Sequence, residues 1–495
     1  MKYIYKSIII IFFFTAIASC TKELDNNPIG LLTANQVDSS PTITTLESSV
    51  SSAYLPLKST LNGIIPGWQW GLGTVFRNDI VLQDIASNDM KKKWSADGDQ
   101  VWMDQLGDFS FTSENAAFNG IWVYDYEGIS RANLAISFLT NSEIVQKTGM
   151  DEARKNQLLG EAYFLRAYYY FDLTNNFGDV PLVLSSPATF QEAFALAVRV
   201  SADEIKAQVN SDLTAAKEIL PNVKYSNPSE PWRVSKGTVI ALQAKVALYS
   251  SDWTTVLSTI SELDALGFYS LNTNYFDSFD ANKEFTDNEV IFAYNHTTGN
   301  TPQNGNGLAA VAGWGFFKPT DDFISAFEPN DPRLLYTFDV PNDQASKILG
   351  STIDYKGNDD SPGNKIYIRY ADVLLWKAEA LNETGDYSGA VTIINQIRSR
   401  ARNTPTADGS ISPVGILLDR ASSTNPTEIK DWLMSERRVE LGFESQRFND
   451  LKRWGTAKSV LTSLGRDFQD KNYLFPIPQR DIDKSGGTIT QNAGY

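Results

Sequence analysis

Apolar residues recur at spacings of three and four over long stretches of this chain, as they do in helices that bury one face. Residues 151–176 place Leu158, Ala162, Leu165 and Tyr169 on one stripe, and Gly178 and Pro181 stop the run. Residues 235–250 repeat the pattern through Val239, Leu242, Val246 and Tyr249. A break at Ser251 and Asp252 then leads into a second helix from Trp253 to Leu266, ended by Gly267. Residues 368–402 hold the clearest pair: Tyr370, Leu374, Ala378 and Leu381 share a face, Thr384, Gly385 and Asp386 turn the chain, and Ala390, Ile393, Ile394 and Ile397 line the return. Two stretches escape this periodicity. Residues 55–112 are rich in Gly, Trp, Asp and Asn, and residues 268–366 are punctuated by Asn, Gly, Asp and Pro with short alternating runs such as Glu289–Tyr294. Long polar insertions in a compact protein usually carry function.

The pattern predicts an all-α dominated fold in which helical pairs form a scaffold, with long irregular loop insertions and a few short β-hairpins. Helix, short turn and antiparallel helix, with small Ala residues between the larger apolar ones, resemble tetratricopeptide pairs, although the periods are too irregular for a clean array.

The N-terminus has a different pattern. Lys2 and Lys6 precede an unbroken apolar run from Ile8 to Phe14, followed by Ile17, Ala18, Ser19 and the single cysteine, Cys20. The run is far shorter than the ~20 residues a spanning helix needs, and it matches a secretory signal. The cysteine that follows resembles a lipoprotein lipobox, so residues 1–19 are expected to be a lipoprotein signal peptide and Cys20 the lipidation site. Two or more acyl chains give stable anchoring. Residues 20–40 read as the lipidated N-terminus and a polar tether, and 41–495 as one domain with binding loops within about 55–112 and 268–366. With one cysteine no internal disulfide can form, so the core must hold the fold.

The formal net charge of −16 argues against nucleic acid as a partner, because such binding needs basic patches that displace counterions. Catalytic and metal motifs are also missing. The chain has one histidine, His296, which reads either as an exposed loop residue or as a ligand contact, and no GxSxG surrounds a serine. One His cannot build a zinc site. Asp97, Gly98 and Asp99, and the run Asp79, Asp84, Asp89, present carboxylates but no EF-hand loop, and read as caps, turns and ion pairs. Phosphate-cradling Gly motifs are absent. No metal or cofactor is expected. Glu436, Glu440 and Glu444, interleaved with Arg437, Arg438, Arg447 and Arg453, read as ion-paired helix faces. A glycosidase needs only two carboxylates in a cleft, and nothing here singles out a pair.

The aromatics remain. Eleven Trp, 21 Tyr and 27 Phe exceed what a helical core of this size needs, so some belong on a surface or in a cleft. Sugars present apolar C–H faces ringed by hydroxyls, which aromatic platforms with polar neighbours match. Trp68 and Trp70, two apart in a Gly-flanked loop, are candidate platforms; Trp94, Tyr294, His296 and Trp314 are candidates to complete a site, with Arg77, Asn78 and Asp79 bonding hydroxyls. Trp314, in GWGFFKPTDDF, also reads as scaffold, and Trp376 and Trp454 read as core.

Five segments in order resemble the SusD/RagB family of outer-membrane lipoproteins from Bacteroidetes: LLGEAYFLRAYYYFDLTNNFGDVPLV (158–183), GWGFFKPTDDFISAFEPNDPRL (313–334), IRYADVLLWKAEALNETGDYSGAVTIINQIRSRA (368–401), ERRVELGFESQRFNDLKRWG (436–455) and YLFPIPQRDIDKSGGTITQNAGY (473–495). The resemblance implies a SusD-like fold with a ligand site on inserted loops. It further implies non-enzymatic glycan capture at the outer membrane and delivery to a SusC-like TonB-dependent transporter. TKELD after Cys20 is similar to acidic signals that send such lipoproteins to the outer face. The ligand itself is unspecified; a β-glucan is one candidate. Peptide or glycoprotein capture on the same scaffold, and a surface glycosidase, are the alternatives.

Overall fold

The computed structural model describes residues 40–495 apart from 188, 226–228, 299–303, 354–359, 407–408 and 410–411. The expected signal peptide, Cys20 and the expected tether up to residue 39 therefore lie outside the described residues. Nine described helices have twelve or more residues: α1 (Ile43–Tyr54), α2 (Ala117–Thr140), α3 (Glu152–Phe177), α4 (Ala202–Ile219), α5 (Lys236–Tyr249), α6 (Trp253–Ala265), α7 (Tyr370–Thr384), α8 (Tyr387–Asn403) and α9 (Pro426–Glu440). Each packs against the next, so the scaffold grows by stacking neighbours as repeat proteins do. Among the described residues no helix is long and apolar enough to cross a membrane.

The residues that break the periodicity start the next helix. Asp151, Asp252 and Asp386 each accept a backbone N–H of the first turn of α3, α6 and α8, and Ser235 forms a capping box with Thr238 on α5. Gly385, at φ 91°, ends α7 in the left-handed conformation that closes helices without a Cβ penalty.

Among the described residues six short strands form three antiparallel pairs: β1 (Met90–Lys91) with β5 (Lys318–Pro319), β2 (Val180–Pro181) with β3 (Arg199–Val200), and β4 (Val290–Tyr294) with β6 (Lys365–Arg369). The alternating run at 289–294 is thus a strand, but it makes no local hairpin. Its partner is the segment that runs directly into α7. Likewise β1 and β5 join the two loop regions across more than two hundred residues.

Most of the apolar core is one cluster running through α1–α6 and the loops. A smaller one, including Leu374, Leu375, Ile394, Ile429 and Leu433, lies among α7, α8 and α9. Buried charge joins the C-terminal helices to the loops. Arg369, at the end of β6, donates to Glu289 Oε1 and Glu440 Oε1 at 2.7 Å each and to Glu444 Oε2 at 2.7 Å. Arg333 donates to Glu436 at 2.6 Å and Glu440 at 3.1 Å, and Arg400 donates to Glu289 at 3.1 Å and also to Glu440. Lys347 Nζ reaches the Glu440 and Gly442 carbonyls at 3.1 and 2.9 Å. These carboxylates are ion-paired, as the sequence suggests, but in a buried, long-range network rather than along helix faces. The helix ends at Glu440, so Glu444 approaches from an irregular segment. Burial alone would raise the Glu440 pKa, but Arg400, Arg369 and Arg333 outweigh it and hold the carboxyl well below the usual range.

Removing one member of such a network leaves uncompensated buried charge, which costs about 3–5 kcal/mol. Glu440→Gln is expected to lower unfolding stability by about that amount, as measured by urea denaturation. A loss below about 1 kcal/mol would mean that the network does not hold these segments together.

Candidate functional site

The two loop regions meet in an open cleft of about 310 Å³, lined by Trp68, Trp70, Trp94 and Trp314, with Lys92, Asp97, Asp99, Gln100, Gly315 and Phe316. That volume is at the lower end of the range for ligand sites. The β1–β5 ladder brings Trp94 and Trp314 together, extended by the Lys93 N–H donating to the Gly315 carbonyl at 2.8 Å. Gly315 adopts φ 92°, and a Cβ there would meet the Trp94 ring at 3.2 Å. The close approach therefore favours glycine.

The back of the cleft is rigid. Trp70 stacks on Phe316 at 5.8 Å between centroids and meets Phe76 and Trp314 edge-on at 6.0 and 6.2 Å. Phe76 in turn meets Phe317 in the core. The front is open: Trp68, Trp94 and Trp314 are 51%, 58% and 48% exposed. Large exposed aromatics gathered in one concave place mark a binding surface more often than a packing defect. Trp68 also sits at φ 51°, a left-handed conformation rare for a bulky residue. Its N–H is held by the Asn62 side-chain carbonyl at 2.7 Å, and its own carbonyl accepts from Trp70 N–H at 2.8 Å. Backbone strain of this kind, about 1–3 kcal/mol, concentrates at functional sites.

The polar rim is organised by Lys92. Its side chain is 2% exposed, and its ammonium donates to Asp104 Oδ2 at 2.7 Å and to the Asp99 carbonyl, with Asp97 Oδ1 at 4.0 Å. The segment 94–104 wraps around this one cation. Asp97 Oδ1 accepts the Asp99 N–H at 2.8 Å, and Gln100 bonds Asp99 and the Trp102 indole.

Several candidates lie elsewhere. Arg77 is 1% exposed, bonded to Asp79 at 2.8 Å, to Asp125 at 3.1 Å and to Asp172. Asp79 also pairs with buried Lys365. Asn78 is fully buried and donates to the carbonyls of Gly73 and Ala117 at 2.8 and 3.1 Å. These three residues anchor the loop behind Trp70 to the scaffold and present no groups to a ligand in the cleft. Their partners include Asp125 on α2 and Asp172 on α3 for Arg77, the Ala117 carbonyl for Asn78 and Lys365 on β6 for Asp79, all distant in the chain, which is why an Arg-Asn-Asp triplet in a polar loop reads as exposed in sequence. A Cβ on Gly73, at φ 64°, would collide with the Ala116 carbonyl at 2.1 Å, so this loop sits directly on the start of α2. Tyr294 is half-buried, against His296 at 4.9 Å between rings, and neither lines the cleft. His296 is neither an exposed loop residue nor a contact there. It is 2% exposed, and its Nε2 accepts the Ser59 N–H at 3.1 Å.

Lys92, Asp97, Asp99, Gln100 and Phe316 were not singled out as site residues. The signal was two carboxylates in SADGDQ directly after Trp94. Asp79, Asp84 and Asp89 are buried. Among the described residues no group of three or more His, Cys, Asp or Glu converges to hold a metal ion.

Comparison with known proteins fits this geometry. The model described as "SusD family" matches residues 346–495, and one described as "Starch-binding associating with outer membrane" matches residues 46–248. The chain belongs to the SusD family. A SusD-like protein P2 from Formosa agariphila is 25% identical, with 99% of each chain covered. Two solved structures share the SusD fold. One, described as a laminarin binding SusD-like protein, has a TM-score of 0.70 at 23% identity, covering 92% of this chain and 100% of that one. The other, surface glycan-binding protein A from Bacteroides thetaiotaomicron in complex with laminarihexaose, has a TM-score of 0.70 at 20% identity, covering 91% and 99%. The Trp68–Gln100 side of the cleft lies within a matched SusD segment, whereas Trp314, Gly315 and Phe316 fall between the two segments.

His296 gives a pH test of its placement. Burial, then the charges of Lys365 and Lys58, lower its pKa to about 3. The unfolded chain takes up this proton below about pH 6.5, while the folded chain does not, so the contribution to stability is present above that pH and is lost as pH falls. Between pH 6.5 and 5.5 the parent is expected to lose about 1 kcal/mol more unfolding free energy than His296→Gln. Equal losses in urea titrations would show that His296 is protonated in the folded state.

Proposed function

We propose that this SusD-family chain is a glycan-binding lipoprotein of the outer membrane. In this reading it is anchored through Cys20 and faces the extracellular side. It captures oligo- or polysaccharide in the tryptophan cleft and passes it to a SusC-like TonB-dependent transporter. It binds and does not cleave. The observation that carries the reading is the convergence of Trp68, Trp70, Trp94 and Trp314 around a polar rim. Exposed indoles can cover the C–H faces of sugar rings, while Asp97, Asp99 and Gln100 in the same lining can hydrogen-bond ring hydroxyls. The anchor rests on the lipobox-like sequence ending at Cys20. That two neighbours of the same fold are described with laminarin or laminarihexaose makes β-glucans the first probes.

Isothermal titration of the full chain against laminarin, amylose, mannan and xylan tests this. The expected outcome is saturable binding of at least one. Trp314→Ala and Trp94→Ala should each weaken it by about thirtyfold or more, the loss typical of a central aromatic anchor. Both residues are half-exposed, so thermal stability should hold. Undiminished affinity in both variants would remove the cleft as the binding site.

A further inference from the structure

We infer that the cleft selects uncharged glycans and rejects polyanionic ones, with Asp97 and Asp99 as the residues that enforce the choice; this rests on the glycan-binding reading above. Ten residues line the cleft and three carry charge: Lys92, Asp97 and Asp99. Lys92 is withdrawn from any ligand, being 2% exposed and bonded to Asp104 and the Asp99 carbonyl. The Asp97 side chain is 47% exposed, and Asp99 is exposed beside it. The exposed charge of the lining is therefore entirely negative.

The neighbouring cations do not reverse this. Lys93 lies against the Trp94 ring at 5.0 Å but outside the lining, and it pairs with Asp343 at 2.8 Å. Lys318, on the same Asp343 at 2.8 Å, has a side chain only 6% exposed. Among the described residues no arginine lines the cleft. Arginine is the residue that most often recognises carboxylate or sulfate through paired hydrogen bonds. A uronate or sulfate on a sugar stacked against Trp94 or Trp68 would instead face two carboxylates of the same lining. Hydroxyls meet the same carboxylates as hydrogen-bond donors. One rim can thus attract a neutral sugar and repel its acidic counterpart, which is specificity built by repulsion as well as attraction. The chain's net charge of −16 adds a long-range field of the same sign.

The test uses the full chain and matched pairs: laminarin, amylose, mannan and xylan, each beside its carboxymethylated derivative. The expected result is that at low salt the neutral form of whichever glycan binds is preferred by at least about tenfold. That ratio should shrink in 1 M NaCl, where the screening length falls to about 3 Å. It should also shrink in the Asp97→Asn/Asp99→Asn double variant. The salt arm uses the unaltered protein, so the outcome does not depend on how the variant folds. A carboxymethylated glycan bound as tightly as its parent overturns the inference. So does a preference that neither salt nor the double variant changes, because that would be steric. If neither form of any glycan binds, the glycan reading itself fails and takes this inference with it.

Discussion

The buried charge network around Glu440 is the interaction on which the rest of the arrangement depends. Arg333, Arg369 and Arg400 converge on one fully buried carboxylate from three separate segments, and Glu289 and Glu444 complete the charge balance. Apolar packing between helices is non-directional and cannot by itself fix where a long insertion returns. Paired guanidinium and carboxylate groups have defined geometry, and breaking one in a dry interior is expensive. The segment before β4, the end of β6 and the end of α9 are thereby held in one place. The loop region between β4 and β6 is then closed at its base.

A second clamp of the same kind sets the other loop. Arg77 and Asp79 tie the chain behind Trp70 to Asp125 on α2, to Asp172 on α3 and to Lys365 at the start of β6. The β1–β5 ladder then draws Trp94 to Trp314. The cleft has a rigid back because Trp70 and Phe316 are continuous with the core through Phe76. Its front is open because the three remaining tryptophans have no further apolar layer to cover them. This division suits a receptor that must hold its platform still while leaving the ring faces accessible. The acidic rim is in turn shaped by one buried ammonium, Lys92, so loop conformation and the charge of the cleft lining share a cause.

How much of this was legible in sequence depended on the range of the interaction. Helix spacing is local. The runs at 151–176, 235–250 and 368–402 became α3, α5, α7 and α8 with boundaries within a residue or two, and the break residue Asp252 and the turn residue Asp386 act as helix caps. The two loop regions were visible as failures of that periodicity, and four of the aromatics within them gather. Side-chain direction in a loop is not local. Arg77, Asn78 and Asp79 sit next to the tryptophans in sequence, yet point into the scaffold because their partners lie on distant elements, α2, α3 and β6. His296 is buried for the same reason: its neighbours are Ser59 and Asn364. The strand at 290–294 was readable as a strand, but its partner 70 residues on was not.

The central claim is that the four tryptophans form the ligand site, and a crystal structure of the full chain with its tightest-binding glycan tests it most directly. The account predicts sugar rings stacked on Trp314 and Trp94, with Trp68 closing over an adjacent ring and hydroxyls within hydrogen-bond distance of Asp97, Asp99 or Gln100. A glycan seated elsewhere on the molecule, with these indoles facing only solvent, would contradict it.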